Sequence, residues 1–221
     1  MESTAAEKPV KRVARAKLAW LVPAVTTGGL MPLLVLGLRA WRRDLGANPI
    51  AEALNELGLL ALVLLLLSLA ATPLQIVTHW KWPIRIRKAL GLLGFLYVCL
   101  HFLLYAVVDQ GFVLKTIGED IAKRPFILVG FLAFVLLIPL AITSTSKALK
   151  TLGFARWKRL HRLVYPIGIL GVVHFILRVK KVTAEPLVYA ILLGVLLLVR
   201  VADFIFERMQ KKTTKSQEAN P

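Results

Sequence analysis

Histidine occurs four times in this chain of 221 residues, and three occurrences, His101, His161 and His174, lie on or beside long apolar runs. An ionisable side chain at bilayer depth is expensive to insert and is normally kept for a partner. A neutral imidazole has one N–H donor and one lone pair, so its partners are a metal, a proton path or another polar group. Which of the three can face each other is decided by the segments that carry them.

Those segments read as membrane spans. Hydrophobic residues make up 57% of the chain and the mean hydropathy is +0.71, alongside a formal net charge of +17. A soluble domain does not combine such apolarity with long uninterrupted runs. Six stretches, near 18–38, 57–78, 89–108, 126–143, 163–178 and 186–206, are long enough or nearly so to cross a hydrocarbon core of about 30 Å as helices. The expected fold class is an all-α membrane protein. It has an N-terminal tail 1–17, a six-helix transmembrane domain 18–206 and a C-terminal tail 207–221, of which 213–221 reads as disordered. The basic stretch Met1–Lys17 is followed by an apolar run through Pro23 and Pro32, too long for a cleavable signal, so an uncleaved anchor is expected. The single cysteine, Cys99, excludes an intrachain disulfide or a cysteine-held cluster and reads as a small buried residue.

Charge supplies an orientation. The N-terminal tail, the second and fourth connections and the C-terminal tail carry 19 Lys and Arg, against nine on the first, third and fifth connections. The positive-inside rule then places both termini in the cytoplasm. The same rule, with attraction to anionic lipid, accounts for the basic balance without nucleic acid. Trp80 and Trp82 read as interfacial anchors, and a short amphipathic segment is expected around Ile117–Lys123. No internal repeat suggests a transporter built from duplicated halves.

On this topology the third and fifth spans both run outward. His101 is 13 residues beyond Lys88, and His174 is 13 beyond His161, about 20 Å along a helix in each case. His101 and His174 therefore reach similar depths toward the outer leaflet. Two neutral imidazoles facing each other in a helical bundle make a bis-histidine site for haem iron. Gly94, Val98, His101 and Tyr105 share one helix face. Gly94, with Gly168 and Gly171 on the fifth span, leaves room either for a flat macrocycle or for close helix packing.

His161 differs. On a straight helix it stands about 220° around from His174, unless Pro166 kinks the helix between them. At its depth the third span offers Arg87 and Lys88, so a second haem there needs another ligand or five-coordinate iron. His79 reads as an interfacial residue. Arg200 and Asp203, three residues apart on the sixth span, are expected to pair with each other, with a cofactor contact by Arg200 as the alternative. Trp157, Tyr165 and Tyr105 serve as interfacial or packing aromatics, or assist electron transfer.

Several short motifs add a resemblance. They are Leu45-Gly-Ala-Asn-Pro49, Thr72-Pro73, Arg87 with Leu90-Gly91, Leu100-His101 with Tyr105, and Arg124-Pro125-Phe126. Thr143-Ser144-Thr145, Trp157 with Leu160-His161 and Tyr165, His174-Phe175, and Pro186 with Tyr189 complete the series. In this order and spacing the sequence resembles the MsrQ (YedZ) family of ferric-reductase-like transmembrane domains. The resemblance implies a b-type cytochrome of the bacterial inner membrane, with one haem b or two, and FMN linked to some members. It implies electron transfer from the quinone pool, or from reduced flavin, to MsrP, a periplasmic molybdenum-cofactor subunit that reduces methionine sulfoxide in envelope proteins. His101, His161 and His174 fall on the family's haem-associated histidines. Two-haem members of the wider superfamily carry a fourth, which this chain lacks. The rival readings are a stand-alone transmembrane ferric or oxygen reductase and a non-haem, proton-coupled transporter.

Overall fold

The computed structural model describes residues 18–179 and 184–218, with side chains up to residue 210. The tail 1–17, residues 180–183 of the fifth connection and residues 219–221 lie outside the described residues. The helices are α1 (Leu21–Trp41), α2 (Pro49–Thr78), α3 (Pro83–Leu103, continued as π-helix through Asp109), α4 (Leu114–Lys123) and α5 (Pro125–Ile142). They are followed by α6 (Ser146–Leu152), α7 (Phe154–His161), α8 (Val164–Arg178) and α9 (Ala184–Glu218). Six of the resulting segments, with α7 and α8 taken together, are long and apolar enough to cross a membrane. All six expected spans are present, and α4 is the expected amphipathic segment.

The second helix is the central one. Of its most apolar window 44% is buried, against 6% for α1. Leucines of α2 enter all three buried clusters: with α1 and α3, with α8 and α9, and with α3, α5 and α8. The leucine-rich run 57–69 is hydrophobic all round, as a helix enclosed by other helices must be.

The largest difference from the sequence expectation is the start of α2. The apolar window opens near residue 57, but the helix begins eight residues earlier. Asn48 caps it, its Oδ1 accepting from the Ala51 N–H at 3.1 Å, and Pro49 takes the first helical position. The polar residues of these extra turns are matched by partners elsewhere in the fold. Arg39 of α1 donates to both Glu52 and Glu56, and Arg178 of α8 donates to Asn55.

The fifth span is broken. Residues 162–163 form a turn between α7 and α8, with Leu163 N–H bonding to Leu160 O at 3.0 Å and Tyr165 N–H to Arg162 O at 3.1 Å. The cause is Pro166, which has no N–H to continue an i→i−4 ladder. At the far end, α9 runs to Glu218. The stretch 213–218, expected to be disordered, continues the helix.

Besides the Arg39 pairs, the first span is held to α3 by a polar contact and a close approach. Tyr97, fully buried, donates its hydroxyl to Gly29 O at 2.7 Å, and a Cβ on Gly29 would stand 2.5 Å from Leu93 Cδ1. Tyr97→Phe is expected to lower stability by about 0.6–1 kcal/mol. A reduced thermal midpoint in detergent would read this out, and an unchanged midpoint would show that the hydroxyl adds nothing.

Candidate functional site

The third and fifth spans bring two of the three histidines together. The rings of His101 and His174 lie 6.2 Å apart, centre to centre, with their planes at 86°. Two imidazoles bound at about 2 Å on opposite sides of one metal would have ring centres about 6 Å apart. Among the described residues no group of three His, Cys, Asp or Glu could hold a bare ion. The pair therefore suits a metal whose remaining ligands come from a macrocycle.

Each ring is oriented the same way by a different neighbouring helix. His101 Nδ1 lies 3.0 Å from Leu54 O on α2, and His174 Nδ1 lies 2.6 Å from Phe126 O on α5. A carbonyl can only accept, so both Nδ1 atoms carry the proton and both Nε2 lone pairs stay available for a metal. Four residues beyond each accepting carbonyl stands a glycine. A Cβ on Gly58 would lie 3.2 Å from the His101 ring, and one on Gly130 would lie 2.6 Å from His174 Nδ1. The two glycines clear the approach to carbonyls already engaged in their own helices. Sequence reasoning missed both, although a glycine inside each apolar helix was the available signal.

The glycines it did choose mostly serve packing. A Cβ on Gly94 would meet Leu65 at 2.9 Å, and one on Gly168 would meet Leu69 at 3.1 Å. Of the three, only Gly171 also lines the space near the histidines.

That space is a cavity of ≈ 520 Å³ enclosed by α2, α3, α5 and α8. Its size is that of a site for a cofactor-sized ligand. The inner wall is apolar, with Leu62, Leu65, Val98, Phe134, Leu137 and Ile167. Tyr105, Arg124, Arg178 and Glu185 stand at its rim. Phe102 stacks on Phe134 at 5.0 Å and lies 5.8 Å from Phe131, so aromatic rings fill the seam between α3 and α5. Just past His101 the backbone opens into the π-helix Leu104–Asp109, a distortion frequently found at functional sites. From it Tyr105 donates to Asp120 of α4 at 3.3 Å.

Comparison with known proteins adds the family to this geometry. The family model described as ferric reductase like transmembrane component matches residues 57–172. The protein-methionine-sulfoxide reductase heme-binding subunit MsrQ of Rhodospirillum rubrum is 48% identical over 185 residues, covering 84% of this chain and 89% of that protein. The MsrQ of Deinococcus radiodurans is 48% identical over 83% of this chain and 90% of its own length. This chain belongs to the MsrQ family. It is accordingly a multi-pass membrane protein built on a ferric-reductase-like bundle of six helices.

Elsewhere in this MsrQ-family chain, His161 does not face the cavity. Its Nε2 lies 3.1 Å from Thr143 Oγ1, and its ring stacks on Trp157 at 4.1 Å. Trp157 in turn donates to Thr143 O at 3.0 Å. The break between α7 and α8 puts His161 and His174 on separate helices, so a single helical phase does not relate them. His79 is the exposed, left-handed C-cap of α2. The expected pairing of Arg200 with Asp203 does not form. Arg200 turns inward and donates to Tyr165 Oη and Leu69 O, each at 2.6 Å. The two Nη groups are thus satisfied across helices, while the buried Nε has no partner among the described residues.

Proposed function

We propose that this protein is the haem-binding electron-transfer subunit of a methionine-sulfoxide-reducing system in the bacterial inner membrane. His101 and His174 would hold one haem b through their free Nε2 atoms. The observation that carries this reading is the pair of imidazoles 6.2 Å apart, each held through Nδ1 by a backbone carbonyl. The names of the relatives, heme-binding subunits of protein-methionine-sulfoxide reductase, point the same way.

The chain's own residues perform three tasks. Leu54 O and Phe126 O fix the tautomer and direction of the two ligands, and Gly58 and Gly130 make room for that contact. The apolar wall and the Phe102–Phe134 seam exclude water and hold the site at low dielectric, a lever on potential. Haem bound there supplies a one-electron couple, and ligation by two imidazoles closes the iron to small molecules, which suits transfer to another protein.

With both termini cytoplasmic, the site lies toward the periplasm. The connections between α1 and α2, α3 and α5, and α8 and α9 then face the partner, a molybdenum-cofactor subunit of the MsrP type. Electrons enter from the quinone pool. A groove of ≈ 300 Å³ on α7, lined by Lys158, Arg159 and Arg162, has the charge to hold the phosphate of FMN. No step here depends on flavin. A second haem would need His161 as a ligand, and that requires Nε2 to leave Thr143.

Haem quantified per chain, with optical and EPR spectra of the purified protein, tests the proposal. One low-spin haem per chain that survives His161→Ala is the expected result. Two haems, one of them lost in that variant, would make His161 a ligand. A colourless protein would overturn the reading in favour of a proton-coupled transporter. Ferric-chelate reduction without any partner would favour a stand-alone reductase.

A further inference from the structure

The cavity is amphipathic along its length, and its charged end carries two guanidiniums, one from α8 and one from the junction between α4 and α5. Arg178 lies one turn beyond His174 on α8. Arg124 lies two residues before Phe126, whose carbonyl holds His174. Both line the same cavity as the histidines, while the opposite wall is built from residues such as Leu65, Leu137 and Ile167.

Neither guanidinium is used up by its protein partners. Arg178 donates through Nη1 to the neutral amide of Asn55. Arg124 contacts Asp120 through Nε at 3.2 Å, which leaves its terminal nitrogens to point elsewhere. The rim carboxylates are largely committed: Glu56 is taken by Arg39, and Asp109 accepts from Gln110 Nε2 at 2.8 Å. Among the described residues Glu185 acts electrostatically on Arg178. A forked cation with unused donors at the mouth of an apolar cavity is suited to a carboxylate carried by an apolar ligand.

We propose that Arg124 and Arg178 bind the two propionate carboxylates of the haem, fixing the macrocycle with its carboxylate edge at the rim and its apolar edge toward Leu65 and Leu137. The inference rests on the haem reading above and adds the orientation of the ligand and the residues that select it. It also gives Asn55 a role. By holding Arg178 from α2, next to Leu54, it ties the carboxylate clamp to the turn that orients His101.

The test is a chemical double-mutant cycle on the full-length apo-protein in detergent, titrated with haem b and with haem b dimethyl ester. Uptake is followed by the Soret band. The wild type is expected to bind the free acid at least about tenfold more tightly than the ester, as loss of a charge-assisted hydrogen bond implies. Arg178→Gln and Arg124→Gln are each expected to weaken the free acid by about tenfold and to leave the ester unchanged. Arg178→Lys is expected to restore part of the preference, and Lys88→Gln, an exposed cation on α3, to change nothing.

Equal weakening of acid and ester in the arginine variants would mean a purely structural role and would overturn the proposal. So would a wild type that binds both forms alike, a comparison that stands even if the variants fail to fold. Uptake of neither form would bring down the haem reading itself.

Discussion

Alanine in place of His101, or of His174, is expected to remove the low-spin haem spectrum of the purified protein. Loss of an outer-shell partner of a metal ligand already costs about 10–100-fold in affinity, and loss of an axial ligand costs more. The two substitutions are expected to be equivalent, because each ring has the same support: one carbonyl on Nδ1 and one glycine beside it. The ring planes, at 86°, give this prediction a second readout. Near-perpendicular axial imidazoles produce a highly anisotropic low-spin EPR signal, whereas parallel planes produce an ordinary rhombic one. A rhombic spectrum from the wild type would show that the rings turn when haem enters. An unchanged optical spectrum in His101→Ala would remove the ligand assignment altogether.

The second large effect concerns a residue that lines the cavity without offering a ligand atom. Gly130→Ala places a methyl group 2.6 Å from His174 Nδ1 and 2.8 Å from its Cε1. No real Cβ tolerates that approach, and the ring cannot back away without losing the Phe126 carbonyl. Overpacking of this kind costs about 1–3 kcal/mol, or about 5- to 150-fold in haem affinity if the strain is released by displacing the ring. Gly58→Ala is milder, since its nearest contact with His101 is 3.2 Å. The expected order of haem loss is therefore Gly130→Ala above Gly58→Ala. Gly28→Ala and Gly194→Ala, which meet nothing within 4 Å, serve as silent controls. Titration of haem into each apo-variant checks the order. Equal retention in Gly130→Ala and Gly28→Ala would show that the Nδ1 contact does not orient the ligand.

Residues that act through another side chain were the least legible part of the sequence. His101 and His174 could be paired because depth in a membrane follows residue count along a helix, and both lie 13 residues past a basic or histidine landmark. His161 could be separated from them by count and phase on a straight helix, whereas in the structure a turn at residues 162–163 puts it on a helix of its own. Gly58 and Gly130 could not be found by that route. Their role depends on which helix packs against which, and α2 against α3 and α5 against α8 are contacts between segments far apart in sequence. Gly94 shows the converse case. Its position one heptad below His101 left room for a macrocycle or for close packing, and α2 fills that space with Leu65.

Polar residues near the span ends divide the same way. Glu52, Asn55 and Glu56 interrupt the apolar run and so read as a connection, whereas they belong to the first turns of α2. Hydropathy sees only that a side chain is costly in lipid. It does not see that Arg39 and Arg178 arrive from other helices to meet it. Arg200 fails for the same reason, because Asp203 is its neighbour in sequence while Tyr165 and Leu69 are its neighbours in space.

The sequence by itself determined the number of spans, their order and how far along its span each histidine lies, because a bilayer imposes length and apolarity on every segment separately. Only the tertiary structure decided which carbonyl holds each imidazole, which glycines admit the rings and which guanidiniums guard the cavity. Those choices depend on distances of a few ångströms between helices, and such distances are fixed by packing rather than by the composition of any one span.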